Sequence, residues 1–270
     1  MSIIFKAGVR YRMPVMFGPM PGPRQRIDGT RYDNPIARID SASVSFLTRA
    51  AALENLLPPG FSLADEPVVT VEFMFITELQ WLAGRGYNTL GVRFPVRYHG
   101  IRDHVSGPLL AVLWENKADP IITGREELGF SKLFCDIPAP RVLDRERSYA
   151  ASWEGHRFLD MNITGLSEAP VPATAPADGL LHYKYMPRTG EPGVADVSAA
   201  AISPTGTSVE VLHHAIGTGT VSFHHSSWEQ LPTLFHIVNS LADLPILESR
   251  GAIAMSYRAN TELQNQQLLA

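Results

Sequence analysis

Apolar and polar positions alternate over many short segments of this chain, which is the spacing of half-buried β-strands. The segment 68–76 is rich in β-branched and aromatic residues, and 91–98 places arginines opposite apolar side chains. Further strands are predicted at 43–46, 109–114, 181–185, 194–202, 208–216 and 218–223. Helical spacing appears only at 50–57 and 228–239. Many short strands with few short helices predict a mainly β or α+β fold with mainly antiparallel strands.

No break in composition divides the chain into two domains. Residues 1–35 are rich in Pro, Gly and Met, and they predict an N-terminal arm that packs on the body or on a neighbouring subunit. Residues 36–270 are predicted to form a single domain. Within it, the Pro- and Ala-rich segment 166–180 predicts a loop.

Composition excludes several classes of protein. The chain has 270 residues, 45% of them hydrophobic, which is enough for a full core. A net charge of −4 gives no support for binding nucleic acid or an anionic membrane. The one cysteine, Cys135, favours a reducing compartment, and neither a signal peptide nor a run of ~20 apolar residues is evident. The histidine pairs at 213–214 and 224–225 lack the spacing of a metal site. We therefore expect a cytoplasmic protein without metal, nucleic-acid or membrane partners.

Lysine is rare in this chain, and one lysine lies in an apolar setting. Only four of the 23 basic residues are lysines, and Lys132 stands between Phe130 and Phe134 in the sequence Phe-Ser-Lys-Leu-Phe. Burial disfavours the charged ammonium, so such a lysine can lose its proton and act as an amine nucleophile. The pattern predicts imine (Schiff-base) chemistry at Lys132. The alternative is a lysine whose stem covers apolar surface while its ammonium stays in water.

Several segments occur in an order and spacing that resembles the acetoacetate decarboxylase superfamily. Gly-Arg-Glu at 124–126 precedes Phe130 and Lys132, as a Gly-Arg-Glu stretch precedes an aromatic-Pro-Lys-Lys turn in that superfamily. Other segments that resemble its landmarks are 57–61, 66–73, 216–219 and 241–246. The resemblance implies a cone- or barrel-like sheet that encloses a dry active-site cavity with Lys132 inside. It also implies a lyase that needs no cofactor, acts on a short keto acid and forms a homo-oligomer.

The chain departs from the superfamily pattern beside the nucleophile. Leu133 replaces the second lysine, and Ser131 replaces the preceding proline. Acetoacetate decarboxylase is itself a known example of a lysine activated by desolvation or by an adjacent cation. Because the adjacent cation is absent here, desolvation has to account for more of the lowering of the Lys132 pKa. Decarboxylation of a β-keto acid is the first functional prediction. The alternatives are a pyruvate-dependent aldolase–dehydratase that uses the same imine, and a non-catalytic protein that binds a small ligand.

The resemblance also implies acids that move protons. Glu72, in the predicted strand 68–76, aligns with a glutamate of the superfamily's active-site region and is predicted to carry protons to the enamine. It is equally well explained as a glutamate that faces water or pairs with an arginine. A second superfamily glutamate falls near 87–89, where this chain has no acid. Glu126 and Glu78 are the available substitutes, and Glu126 is our further catalytic prediction.

A keto acid carries a carboxylate, which a planar guanidinium binds in bidentate fashion. Arg125 is the strongest candidate because it belongs to the Gly-Arg-Glu stretch, and Arg38 lies within one residue of the superfamily's N-terminal arginine. Arg93 and Arg97 share one face of the predicted strand 91–98. The predicted substrate-binding residues are Arg125, Arg38, Arg97 and Phe130.

Overall fold

The computed structural model describes residues 5–172, 177–204, 209–261, 263 and 265–270. The strands are β1 Ile36–Leu47, β2 Phe61–Leu63, β3 Val68–Thr77, β4 Tyr87–His99, β5 His104–Glu115, β6 Lys132–Phe134, β7 Arg141–Leu143, β8 Glu146–Trp153, β9 His156–Glu168, β10 Gly179–Pro187, β11 Ala195–Pro204, β12 Val209–Phe223, β13 Glu248–Asn260 and β14 Gln267–Leu268. The α-helices are α1 Ala50–Glu54, α2 Ala118–Thr123 and α3 Phe235–Ala242. Short 3-10 turns lie at Val15–Phe17 and Gln80–Leu82, and a π-helical turn lies at Gly124–Leu128.

The described strands form one large sheet in the order β14-β11-β10-β5-β4-β3-β1-β13-β12-β9-β8-β7, with β2 on β4 and β6 on β5. Neighbouring strands run antiparallel except for the β10–β5 and β5–β6 pairs, which are parallel. The predicted mainly β fold with few short helices is confirmed. The sheet is mixed, however, and its strand order does not return to its first strand, so it is open and not a closed barrel.

Alternation along β3 separates the hydrophobic core from the candidate site. Val71 and Phe73 are completely buried in the main core, which also holds the large side chains of Trp114 and Phe158. The intervening Glu72, with Met74 and Ile76, lines a cavity on the other face of the sheet. Because successive side chains of a strand point to opposite faces, one strand supplies both core packing and cavity wall.

Several predicted elements have different bounds in the structure. The predicted helix 228–239 is shifted in the structure: α3 begins at Phe235, after Leu234 with a non-helical φ of −125°, and ends at Ala242. The predicted strands 208–216 and 218–223 are one strand, β12, with a register shift between Ile216 and Thr218. Residues 173–176 of the predicted 166–180 loop lie outside the described residues, as does residue 208. Among the described helices, none is long and apolar enough to cross a membrane.

Candidate active site

The parallel pairing of β5 and β6 brings Lys132 and Glu115 to the same face of the sheet. Leu113 lies opposite Lys132, and Glu115 lies two residues further along β5. Side chains two residues apart in a strand share a face, so Glu115 and Lys132 point to the same side. Leu133 points to the other side, where it packs against the main core.

The segment between β5 and β6 folds tightly over this pair. Pro120 lies in the first turn of α2, where its missing N–H leaves no helical hydrogen bond broken. The chain continues from α2 into the π-helical turn, which ends at Gly129 with a φ of 84°, a left-handed conformation that suits glycine. The backbone N–H groups of Gly129 and Phe130 both donate to the carbonyl oxygen of Gly124, at 2.9 and 3.1 Å. This compact turn places Lys132 beside the end of β5.

Lys132 is a buried lysine with two oxygen partners. It is 6% exposed, and its Nζ lies 2.7 Å from Glu115 Oε1 and donates to the carbonyl oxygen of Pro120 at 3.0 Å. Gly124 leaves room for this side chain, since a Cβ at that position would lie 2.7 Å from Lys132 Nζ. Burial lowers the pKa of Lys132, while the carboxylate of Glu115 acts in the opposite direction.

Glu115 is even more deeply buried than its partner, with 1% of its surface exposed. Burial raises the pKa of Glu115, and the charge of Lys132 opposes this rise. Its second oxygen, Oε2, has no hydrogen-bond partner among the described residues. Since a buried carboxylate oxygen without a partner disfavours the charged form, this side chain is suited to take up and release a proton.

Lys132 and Glu115 line a cavity of about 330 Å³. Much of the wall is apolar, with Leu110, Leu113 and Leu128 among its members. A second ion pair, between the partly buried side chains of Arg93 and Glu72, lies in the same wall. Tyr257 also lines the cavity, and burial raises the pKa of its phenol. The described cavity lining therefore combines apolar surface with two carboxylates, three cationic side chains and two phenols: Glu72, Glu115, Lys132, Arg24, Arg93, Tyr87 and Tyr257.

Phe130 links Lys132 to a buried histidine. Lys132 Nζ lies 5.4 Å from the centroid of the Phe130 ring, and the ring of His182 stacks on Phe130 with 4.0 Å between centroids. His182 Nε2 contacts Ser203 Oγ at 3.1 Å, and burial lowers the pKa of His182 to about 3. The imidazole is therefore neutral at physiological pH and supports the aromatic wall behind the lysine.

The N-terminal arm completes the cavity. Pro23 and Arg24 belong to its lining, and Arg24 is almost fully buried. Arg24 Nε lies 2.6 Å from Glu127 Oε2, and Glu127 also forms ion pairs with Arg10 and Arg12. Three arginines of the arm thus converge on one glutamate of the π-helical turn.

Residues 12–267 of the chain match the family model described as acetoacetate decarboxylase (ADC). The match spans nearly the whole chain. This chain belongs to the acetoacetate decarboxylase family. Among curated proteins, no match to it was found.

Solved structures of acetoacetate decarboxylases and related enzymes share the fold. One of an acetoacetate decarboxylase has a TM-score of 0.73 and 17% identity, with 98% of each chain covered. The enduracididine biosynthesis enzyme MppR complexed with pyruvate has a TM-score of 0.64 and 18% identity, with 87% of this chain and 90% of that chain covered. An acetoacetate decarboxylase-like enzyme from Sphingomonas wittichii RW1 has a TM-score of 0.65 and 18% identity, with coverages of 87% and 92%. At these identities the likeness concerns the fold alone.

The structure brings three of the predicted site residues of this family member together: Lys132, Glu72 and Phe130 all line the cavity. The described cavity lining does not include Glu126, whose backbone carbonyl accepts a hydrogen bond from Lys184 at 2.6 Å. Glu78 is also absent from it and pairs with Arg258 at 3.1 Å.

The three predicted substrate-binding arginines lie elsewhere. Arg125 donates to the carbonyl oxygen of Lys132 at 2.8 Å and lines a separate pocket behind it. Arg38 faces Asp40, and Arg97 pairs with an aspartate on an exposed surface. The described cavity lining contains two other arginines, Arg24 and Arg93.

Two charged residues of the described cavity lining, Glu115 and Arg24, were not singled out by sequence analysis. Glu115 is a charged residue directly after the apolar run 109–114, and that position was the available signal. Arg24 lies in an irregular Pro-rich segment without periodicity, so no local pattern distinguished it from the other arginines of the arm.

Proposed function

We propose that this chain is a carbon–carbon lyase that forms an imine between Lys132 and a short keto acid. The observation that carries the proposal is the 2.7 Å contact between Lys132 Nζ and Glu115 Oε1 in the cavity wall. Burial lowers the pKa of the lysine and raises that of the glutamate. Moving one proton along this contact therefore gives a neutral amine and a carboxylic acid, and the amine is the form that attacks a ketone.

The same pair can serve each proton transfer of imine formation. The amine adds to the ketone carbon, and the carbonyl oxygen takes the proton that Glu115 holds. Glu115 then removes a proton from the new ammonium and returns it to the hydroxyl group, which leaves as water. The products are an iminium cation on Lys132 and a carboxylate on Glu115, which stabilises that cation.

Decarboxylation of a β-keto acid is the simplest reaction for this cavity. The bond between the α-carbon and the carboxylate breaks, and carbon dioxide leaves. The electron pair of the broken bond moves into the iminium to give an enamine. The apolar wall favours conversion of a charged carboxylate into neutral carbon dioxide. Glu72 is in the same cavity, and we assign it the transfer of a proton from a water molecule to the enamine carbon. Hydrolysis of the imine then regenerates the lysine.

Aldol condensation of pyruvate with an aldehyde is the second candidate. This reaction keeps the carboxylate, and the enamine forms by loss of a proton from the methyl carbon of the pyruvate imine. It therefore needs a base beside the imine, and the specific observation in its favour is Glu115 Oε2, which has no hydrogen-bond partner among the described residues. The fold shared with MppR, which was solved in complex with pyruvate, also supports this candidate.

Borohydride trapping tests the proposal. The protein is incubated with acetoacetate or with pyruvate, borohydride is added, and the modified peptide is identified by mass spectrometry. We expect an adduct at Lys132, its loss in Lys132→Arg, and no change in Lys6→Arg, which alters an exposed lysine.

The products then separate the candidates. Release of carbon dioxide from acetoacetate would identify a decarboxylase. An enone that appears only with pyruvate plus an aldehyde, without gas, would identify an aldolase–dehydratase. No adduct at Lys132 with either ketone would contradict both and favour a protein that binds a small ligand without catalysis.

A further inference from the structure

The cavity that holds Lys132 extends far beyond the lysine along the sheet. Lys132 lies on β6, and the lining continues over β5, β4, β3, β1 and β13, which are consecutive neighbours in the sheet. Neighbouring strands are about 4.8 Å apart, so the three steps from β5 to β1 correspond to about 14 Å along the sheet. The four carbons of acetoacetate are joined by three bonds of about 1.5 Å and span less than about 5 Å. A short keto acid bound at Lys132 therefore does not reach the far side of the cavity.

A separate hydrophobic cluster lines that far side. Ile76 of β3 lies opposite Ile39 of β1, and Ala259 of β13 belongs to the same cluster. Met74 and Trp81 are partly buried against it, and all five side chains line the cavity. We call these five residues the distal cluster. Apolar surface of this kind, in a cavity of about 330 Å³, favours an apolar group of a ligand over water.

Gly91 leaves room between the nucleophile and the distal cluster. It lies opposite Leu113 of β5 on one side and opposite Glu72 of β3 on the other, and Leu113 is also the residue opposite Lys132. A Cβ at Gly91 would lie 3.3 Å from the side chains of both Leu110 and Leu113. The missing side chain thus keeps the cavity floor low on the strand that a ligand has to cross.

The route toward the distal cluster runs away from Arg93. Along β4, Arg93 and Thr89 lie on either side of Gly91 on the same face, and Thr89 lies opposite Met74 of the distal cluster. Glu72 borders this route, and its charge is paired with that of Arg93. Tyr257 also lines this part of the cavity, where burial raises the pKa of its phenol and keeps it neutral. An uncharged, apolar part of a substrate is therefore suited to this route.

We propose that the distal cluster binds an apolar tail attached to the reacting ketone, so that the preferred substrate is a β-keto acid of medium chain length. Short acids such as acetoacetate react at the same lysine but bind more weakly, because they leave the distal cluster in contact with water. This inference rests on the proposed function, since it assumes that the ketone forms an imine with Lys132. It assigns to Trp81 and Ala259 a role in selecting substrate length.

Methyl ketones of increasing length test the inference. Acetone, methyl propyl ketone, methyl pentyl ketone and methyl heptyl ketone present the same reacting group, and they are the products that decarboxylation of the corresponding β-keto acids would give. Borohydride traps each as an adduct of Lys132, and the ketone concentration for half-maximal trapping is measured at a pH above the titration midpoint of Lys132. The variants are Ala259→Leu, which fills the distal end, and Trp81→Ala, which removes part of its apolar surface. Trp228→Ala is the matched control, because Trp228 is 62% exposed and lies outside the described cavity lining.

In the wild type, the half-maximal concentration should fall by about fourfold for each methylene that becomes buried. For methyl heptyl ketone, Ala259→Leu and Trp81→Ala should each raise it by about tenfold or more, whereas for acetone it should stay within about twofold. Trp228→Ala should behave as the wild type with every ketone. If one of the two cavity variants does not fold, the other carries the same expectation.

The outcomes separate this inference from the proposed function. Similar half-maximal concentrations for all four ketones in the wild type would overturn the role of the distal cluster and leave the imine chemistry standing. Equal changes for acetone and methyl heptyl ketone in both cavity variants would also overturn it, because the substitutions would then act on Lys132 and not on a tail. A loss of the length preference in Trp228→Ala would do the same, since any exposed apolar surface would then suffice. Absence of every Lys132 adduct in the wild type, with acetone and the longer ketones alike, would instead remove the proposed function itself.

Discussion

Lys132 Nζ and Glu115 Oε1 lie 2.7 Å apart, and both side chains are almost completely buried. Each charge favours the ionised form of the other group: Glu115 raises the pKa of Lys132, and Lys132 lowers the pKa of Glu115. The carboxylate raises the pKa of Lys132 and so opposes the lowering by burial. It also provides the proton acceptor that the amine needs during imine formation. Replacing this one carboxylate should therefore lower the pH at which Lys132 becomes reactive and should also reduce turnover.

Glu115→Gln should move the pH midpoint of borohydride trapping at Lys132 to lower pH, because a charge that favours the ammonium is gone. Turnover should fall by about 10²- to 10⁴-fold, since a positioned acid–base group is lost. Trapping and turnover are measured against pH for this variant and for Glu54→Gln, which alters an exposed glutamate. An unchanged midpoint, or a midpoint at higher pH, would contradict the pairing of Glu115 with Lys132.

Lys132→Met should make stability depend strongly on pH. Without its cationic partner, Glu115 keeps a pKa raised by burial, whereas in the unfolded chain the pKa returns to about 4.3. A raised pKa in the folded state means that stability is fully present below the unfolded pKa and is lost as pH rises above it. Relative to the wild type, we expect a loss of about 3–5 kcal/mol near pH 7 and a much smaller loss near pH 4.

Urea unfolding at several pH values measures this effect. The matched control is the double variant Lys132→Met/Glu115→Gln, which has no ionisable group at either position. It should be more stable than Lys132→Met at pH 7, and the difference between the two should shrink toward pH 4. A parallel loss at all pH values would show that the methionine acts through packing instead of through a stranded carboxylate.

Gly124→Ala tests how closely the turn after α2 packs on the nucleophile. The φ of Gly124 is −68°, so alanine fits the backbone, but its Cβ would lie 2.7 Å from Lys132 Nζ. The lysine tip has to move, and trapping should slow by about a hundredfold, as expected for a misplaced reacting group. Stability should fall by only about 1–3 kcal/mol. A folded variant with wild-type trapping would mean that the observed position of Nζ does not matter for the reaction.

Local patterns were sufficient to predict the strands that carry Glu72 and Arg97. The pattern of apolar and polar residues predicted β3, which carries Glu72, and most of β4. The apolar neighbours of Lys132 in the sequence predicted its burial. The hairpin of β8 and β9 was missed because four of the eight residues of β8 are Ala or Ser, which differ little in size and polarity. Propensity and periodicity thus describe single strands well where side chains differ strongly.

The partners of Lys132 depend on contacts between distant segments. Glu115 faces Lys132 only because β6 pairs in parallel with β5 in one register, and a shift by one residue would turn the side chain away. Arg24 enters the cavity because the arm is tied to Glu127, which lies 103 residues further along the chain. Neither the register nor the tie has a local signature, so the sequence alone led to Arg125, Arg38 and Arg97 instead.

His182 predicts how the fold responds to acid. Burial holds its pKa at about 3, against 6.5 in the unfolded chain, and its Nδ1 has no hydrogen-bond partner among the described residues. A depressed pKa means that the unfolded state binds the proton first, so stability is present above pH 6.5 and is lost as pH falls toward 3. By pH 5 the loss from this residue should reach about 2 kcal/mol.

His182→Gln removes the titration while keeping a side chain that can hydrogen-bond to Ser203. Its stability should fall less than that of the wild type between pH 7 and pH 5, as measured by urea unfolding. His225→Gln is the matched control, because His225 is exposed and pairs with an exposed aspartate. Equal acid sensitivity in the wild type and His182→Gln would contradict a neutral His182 behind Phe130.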